Sequence, residues 1–252
     1  MHKIDYNKFR EEFLATTLGQ QVSKDFDIIT CTNTHYPSIL LVAHSHGSTC
    51  RELLGSRTIP SVGKQTTLSI VSFYYLQFLQ EKNPKVIYDI GCGWNIWSRY
   101  IPNIVGIDNN SKYAHRQEDY NTDFVSKNYR KFESAFSINM SASMNKDPIT
   151  GKETHITFEN LADSIKEFSS IISVGGRGYF SIPAISPLIS TSDDWFTSNN
   201  LTRYSMPELT EYVKKVILSQ EYIKIIALDV ELDVIKNLPS HDGEIRVVFE
   251  II

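Results

Sequence analysis

Between Val86 and Asn110 two short apolar runs frame a cluster of glycines, and few folds accept that combination. Val86-Ile87-Tyr88-Asp89-Ile90 has the length and β-branched content of a buried strand. Gly91-Cys92-Gly93 follows at once, where a backbone can turn sharply and approach a ligand with no Cβ in the way. Asn95 to Tyr100 leaves room for only a brief helical passage before Pro102, and Ile104-Val105-Gly106-Ile107 is a second apolar strand that ends on an acid, Asp108. A lone Gly-x-Gly would say little. Strand, glycine turn, helical passage and a second strand ending in a carboxylate together describe one half of a nucleotide-binding α/β unit, whose acid accepts ribose hydroxyls.

The rest of the chain supplies layers for such a sheet. Apolar spacing predicts a helix over 5–19 and a second over 66–81, stopped by Asn83-Pro84, with strand-like runs at Ile28-Ile29 and Ile39-Leu40-Leu41-Val42 between them. A helix over 123–132 is expected next, then a strand at Ser134–Asn139 and a loop from 140 to 157 turning at Pro148–Gly151. Leu161, Ile165, Phe168 and Ile172 predict an amphipathic helix over 158–172. Gly175-Gly176-Arg177-Gly178 reads as a turn into a strand at Tyr179–Ile182, with Arg177 in that turn near the sheet edge. The segment 183–202 reads as irregular, a lid or an interface. Ser205 and Glu208 form a capping-box pattern for a helix ending near Gln220. Strands at 222–233 and 244–252 close the chain, the second alternating Ile245, Val247, Phe249 and Ile251, and their short connection requires an antiparallel pair. The expected organisation is an N-terminal extension or cap over 1–65 and an α/β domain over 66–252.

Composition narrows the function. The chain has 252 residues, enough for a sizeable core, with 41% hydrophobic and 21% charged residues, as in an ordinary globular protein. With 25 basic against 29 acidic residues, its net charge of −4 supplies no broad positive field for nucleic acid. No run approaches the apolar length of a membrane span, and the first residues lack the apolar core of a secretory signal, so a cytoplasmic protein without membrane association is expected. Cys31, Cys50 and Cys92 are too few and too scattered for a disulfide framework or a zinc site. His44-x-His46 presents two imidazoles on one face only if that stretch is a strand; no metal site is assigned.

Asp89-x-Gly91-x-Gly93, with Asp108 beyond it, resembles the first motif of class I, Rossmann-like S-adenosylmethionine-dependent methyltransferases. The resemblance extends over roughly 66–252 and implies a doubly wound α/β sheet, mostly parallel with an antiparallel C-terminal strand, plus an N-terminal helical and irregular extension. It implies S-adenosylmethionine as cofactor, with Asp89 at the strand end, Gly91 and Gly93 beside the methionine moiety and Asp108 on the ribose. Asp123, ahead of Asp119, is the candidate for the adenine amino group, and Asn139, after the fourth strand, completes the cofactor set.

The chain departs from the family pattern in three places. Asn95 stands where a third glycine is usual, too little chain separates Asp108 from Ser134 for a full third strand with its helices, and Asn139-Met140-Ser141-Ala142 lacks the prolines and aromatic of amino-group methyltransferases. A dinucleotide fold fits less well, because Ile96 occupies its third glycine position. No catalytic residue is assigned, although His44, His46 and His155 are the available bases. Two functions follow from the resemblance: methyl transfer to an unidentified acceptor, or a catalytically inactive methyltransferase-like protein with a structural or binding role. The arrangement is also similar to small methyltransferase-like proteins of tailed phages, which implies a setting in the host cytoplasm or the virion. A protein partner or a homo-oligomer fits either function.

Overall fold

The computed structural model describes residues 6–24, 26–31, 38–43, 67–69, 71–93, 95, 97–138, 142–146, 153–183, 191–203, 205–234 and 241–252. The N-terminal helix divides into α1 (Tyr6–Ala15) and α2 (Thr17–Val22) because Thr16 adopts an extended backbone between them. Its hydroxyl accepts from the Gly19 amide and donates to the Phe13 carbonyl, the local competition with helix bonding that threonine favours. The strand-like runs become β1 (Phe26–Cys31) and β2 (Ser38–Ala43), an antiparallel pair, joined by β3 (Thr67–Ser69). That third strand takes the first residues of the expected 66–81 helix, so α3 is shorter, Val71–Gln80.

Strands β4 (Ile87–Ile90) and β5 (Ile104–Ile107) lie side by side and parallel, as the glycine pattern requires. After them come α4 (Thr122–Asn128), capped by the Asn121 side chain on the Phe124 amide, and β6 (Phe132–Ser137). The stretch expected as a loop holds an antiparallel ribbon, β7 (Ala142–Lys146) with β8 (Glu153–His155). Helix α5 covers Leu161–Ser170, shorter than the periodicity suggests, because Thr157 and Asn160 hold each other's backbone amides through their side chains and set a stop ahead of the first turn. Strand β9 (Ile172–Pro183) follows. The segment read as irregular contains α6 (Asp193–Ser198), capped by Ser192. Helix α7 (Met206–Leu218) starts where the Ser205 pattern places it, though the Ser205 side chain makes no cap bond. The hairpin of β10 (Ile223–Val234) and β11 (His241–Ile251) is antiparallel, as its short connection demands.

The main sheet has the order β10-β11-β9-β6-β4-β5. β5, β4, β6 and β9 run parallel, while β11 is antiparallel to both β9 and β10 and is wedged between them. This is the doubly wound, mostly parallel sheet with an antiparallel C-terminal strand that characterises the Rossmann-like methyltransferase fold. One face is covered by α4, α5 and α7, through Phe124, Leu161, Ile165, Phe168, Leu209, Val213 and Ile217. The other is covered by α3 with the N-terminal helices, through Tyr75, Leu76, Leu79, Phe13 and Val22.

The turn expected at 175–178 is absent, because β9 runs straight through it. Gly175, at φ +74, absorbs the register shift between β9 and β6 as a bulge, so the glycines continue the strand instead of ending it. Arg177 accordingly sits inside the sheet and not in a turn at its edge. It pairs with Glu81 at 2.7 Å and with its cross-strand neighbour Glu250 at 3.2 Å. Gly178 is needed for packing, since a Cβ there would stand 2.3 Å from the Phe249 ring and 2.6 Å from Ile172. Gly178→Ala is therefore expected to overpack the core and cost about 1–3 kcal/mol, read from urea unfolding; an unchanged midpoint would contradict the packing described.

Candidate functional site

The chain leaves β4 for β5 on one side and returns to β6 on the other, so the C-terminal end of β4 is the switch point of the sheet, where α/β folds bind ligands. Asp89, Gly91 and Gly93 sit at this point. The amides of Gly91 and Cys92 both donate to the Ile107 carbonyl, at 2.8 and 3.1 Å, which folds the loop over the end of β5. Gly91 and Gly93 have φ of +72 and +51, and a Cβ on either would meet nothing within 4 Å. These two glycines are required by backbone conformation, and no described residue beyond their chain neighbours comes within 4 Å of the Cβ either would carry. Only a short 3-10 turn, Trp97–Arg99, follows the loop. A dinucleotide pyrophosphate needs the amides of a full helix there, which this turn does not supply.

Asn95 takes the third glycine's place in conformation, with φ +49, a region asparagine tolerates better than most residues. Its side chain turns away toward the loop beyond β5, where Nδ2 donates to the Tyr113 carbonyl at 2.9 Å and lies 3.1 Å from His115 Nδ1. His115 Nδ1 also accepts the Gly106 amide at 2.9 Å, so the ring carries its proton on Nε2. Gly106 has no room for a side chain, since a Cβ would lie 2.5 Å from Asn95 Oδ1 and 2.7 Å from Cys92 Sγ. Asn95 Oδ1 is buried without a hydrogen-bond partner.

Asp108 is tied to the glycine loop. Its Oδ2 accepts the Gly93 amide at 3.0 Å, and its Oδ1 accepts the amides of Asn110 and Ser111 at 2.8 and 3.0 Å. The Ser111 hydroxyl donates to the Gly93 carbonyl, so both ends of that residue are held from the β5 side. Residues 109–121 stand where a third strand would be. The backbone there forms one parallel bridge, Ile107 with Arg116, and the amides of His115 and Arg116 donate to the Gly106 carbonyl. Sequence length had already implied this abbreviated wall.

Asp89 is 3% exposed and pairs across the sheet with Gly106 on one side and Phe136 on the other. No described residue donates a hydrogen bond to its carboxylate. Burial, and after it the neighbouring Asp108 charge, push its carboxyl well above the usual carboxylate range. Burial also raises the Cys92 thiol, with the two aspartates adding to the effect.

Among the expected site residues, the structure thus brings Asp89, Gly91, Gly93 and Asp108 together. Asp123 lies exposed in the first turn of α4, whereas Asp119 accepts from Asn109 at 3.1 Å, next in sequence to Asp108. Asn139, His44 and His46 lie outside the described residues. His155 is exposed at the end of β8. Among the described residues there is no cluster of potential metal ligands, and no helix is long and apolar enough to cross a membrane. Ser111 and His115 were missed. Asp108-Asn109-Asn110-Ser111 is the kind of run in which an aspartate caps the amides after it, and that signal was there for Ser111; nothing local marks His115.

No family model and no curated protein matches the sequence. Solved structures resemble it at low identity. A SAM-dependent methyltransferase from Archaeoglobus fulgidus is 11% identical, with a TM-score of 0.38 over 71% of this chain and 90% of that one. The N-methyltransferase NodS from Bradyrhizobium japonicum, in complex with S-adenosyl-L-homocysteine, is also 11% identical, with a TM-score of 0.38 over 71% and 84%. A fibrillarin/Nop5p complex gives 13% identity and a TM-score of 0.39 over 87% and 96%. The likeness is one of fold and is weak.

Two stability measurements check this geometry. A carboxyl whose pKa is raised by folding holds its proton more tightly folded than unfolded, so its contribution is complete below the ordinary carboxylate range and is lost as pH rises toward the folded value. Asp89→Asn should therefore stabilise the ligand-free protein at pH 8, by about 1–3 kcal/mol, with the gain vanishing at acid pH; a loss of stability at pH 8 would refute the partnerless carboxylate. At Asn95, alanine should cost more than glycine by about 1 kcal/mol, because only glycine keeps the left-handed backbone without strain. Equal losses in thermal unfolding would show that the side-chain bonds alone matter.

Proposed function

We propose that this chain binds S-adenosylmethionine at the end of β4 and transfers its methyl group to an acceptor. The observation that carries the proposal is that the buried Asp89 carboxylate, beside Asp108, receives no hydrogen bond from a described residue, at a loop where Gly91 and Gly93 bring no side chain. Two neighbouring carboxylates beside this loop favour a cationic ligand and repel phosphate. The short turn after the loop points the same way. A nucleoside bearing ammonium and sulfonium groups meets both demands.

The residues present fit that ligand. Gly91 and Gly93 bring no side chain to the loop, Asp89 would neutralise positive charge, and Asp108 would accept from the ribose. We assign the adenine amino group to Asp119 in preference to Asp123, because Asp119 accepts from Asn109, the residue next to Asp108. Bound there, S-adenosylmethionine supplies a methyl group already activated by its sulfonium. The protein's task is then to orient the acceptor and exclude water, and such positioning can provide most of the rate without a dedicated base. The β7–β8 ribbon and the 183–202 segment are the elements proposed to select the acceptor.

A second reading, a methyltransferase-like binding or structural protein without turnover, is favoured by one feature, the lack of a third strand between β5 and β6. Phage origin and a virion role belong to this reading.

Calorimetric titration of the full chain with S-adenosylmethionine tests the first. Saturable binding is expected, weakened about tenfold or more in both Asp108→Ala and Asp89→Asn while each variant stays folded. Protons compete with the cationic ligand for Asp89, so affinity should rise with pH in the wild type and stay flat in Asp89→Asn. Absence of binding at about 1 mM ligand would overturn the proposal. Binding without transfer of labelled methyl to any protein, nucleic acid or small molecule of a cell extract would favour the second reading.

A further inference from the structure

We infer that the site reads its nucleoside through one ribose hydroxyl and is indifferent to the other, because Asp108 has a single acceptor position left. The inference rests on the nucleoside-binding reading above. An ionised carboxylate offers about four lone-pair positions, two on each oxygen. Asp108 Oδ1 is filled by the amides of Asn110 and Ser111, at 2.8 and 3.0 Å. Oδ2 receives the Gly93 amide at 3.0 Å and keeps one position. A carboxylate that grips both hydroxyls of a ribose needs an open position on each oxygen, and Oδ1 has none.

The three amides are not easily displaced. Asn110 and Ser111 lie two and three residues after Asp108, in the turn that leads the chain out of β5. Gly93 is fixed at its other end by the Ser111 hydroxyl, and the oxygen of that hydroxyl also accepts the Tyr113 amide at 3.1 Å. Exchanging one of these amides for a ribose hydroxyl replaces one donor to the carboxylate by another, and it leaves a backbone N–H without an acceptor. A second hydroxyl contact therefore gains nothing. The closed ring formed by Gly93, Asp108 and Ser111 makes the site specific for one position of the sugar.

The test is calorimetric binding of S-adenosylhomocysteine and its 2′-deoxy and 3′-deoxy forms to the full chain, with no turnover required. One deoxy form should bind within about twofold of the parent and the other about tenfold or more weakly, and Asp108→Asn should shrink the difference between the two. Comparable losses for both forms would overturn the inference and leave the nucleoside reading standing, since both hydroxyls would then be held. Equal affinity for all three would overturn it as well, by removing Asp108 from the sugar. No binding of the parent compound would sink the nucleoside reading itself, and the inference with it.

Discussion

The hydrogen bond between the Gly93 amide and Asp108 joins the ends of two neighbouring strands, and the rest of the site is arranged around it. β4 and β5 are each only four residues long, so little ladder fixes how they finish. The loop after β4 is instead held from the β5 side, by the Ile107 carbonyl on the amides of Gly91 and Cys92 and by Asp108 and Ser111 on Gly93. Each contact needs the chain to pass close to its neighbour with a positive φ, which is why side chains are missing at 91 and 93 and an asparagine is tolerated at 95.

Losing the third strand leaves β5 as a sheet edge, and edges expose unpaired backbone groups that invite association with other chains. Here the 109–121 segment covers that edge with few residues. Gly106 is satisfied at both ends, its amide by the His115 ring and its carbonyl by the amides of His115 and Arg116. Asn95 then bolts this segment to the glycine loop. One residue thus replaces a glycine in the loop's conformation and also anchors the wall that substitutes for a strand.

How much of this was legible depended on the range of the interaction that decides each element. β4, β5 and β11 could be read because apolar runs or strict alternation belong to the strand itself, and the antiparallel close of the sheet followed from the short link between 234 and 241. β9 was cut short because four residues with three glycines look like a turn; the structure uses them for a bulge at Gly175 and for close packing of Gly178 under Phe249, a partner 71 residues away. The β7–β8 ribbon was hidden by polar composition, and α5 lost its first turn to the Thr157–Asn160 pair. In the site, Asp89, Gly91, Gly93 and Asp108 were found because a motif spaces them, whereas His115 acts only through contacts that folding creates.

Asp89 shows why such a site need not resemble the most stable version of its own fold. A buried carboxylate without a hydrogen-bond partner is disfavoured at neutral pH, and a second acid nearby worsens it. Selection for stability alone would put an amide or an apolar residue there, as at most positions of the core around it. Its presence at the switch point, beside a loop whose Gly91 and Gly93 carry no side chain, is explained if a partner comes from a bound ligand. A cation fits that place best, since it offsets the charge that a neutral donor could only hydrogen-bond, and an anion would make the burial worse. The strain held in the ligand-free protein is then recovered on binding, and affinity for the cation and instability without it become two measurements of the same buried charge.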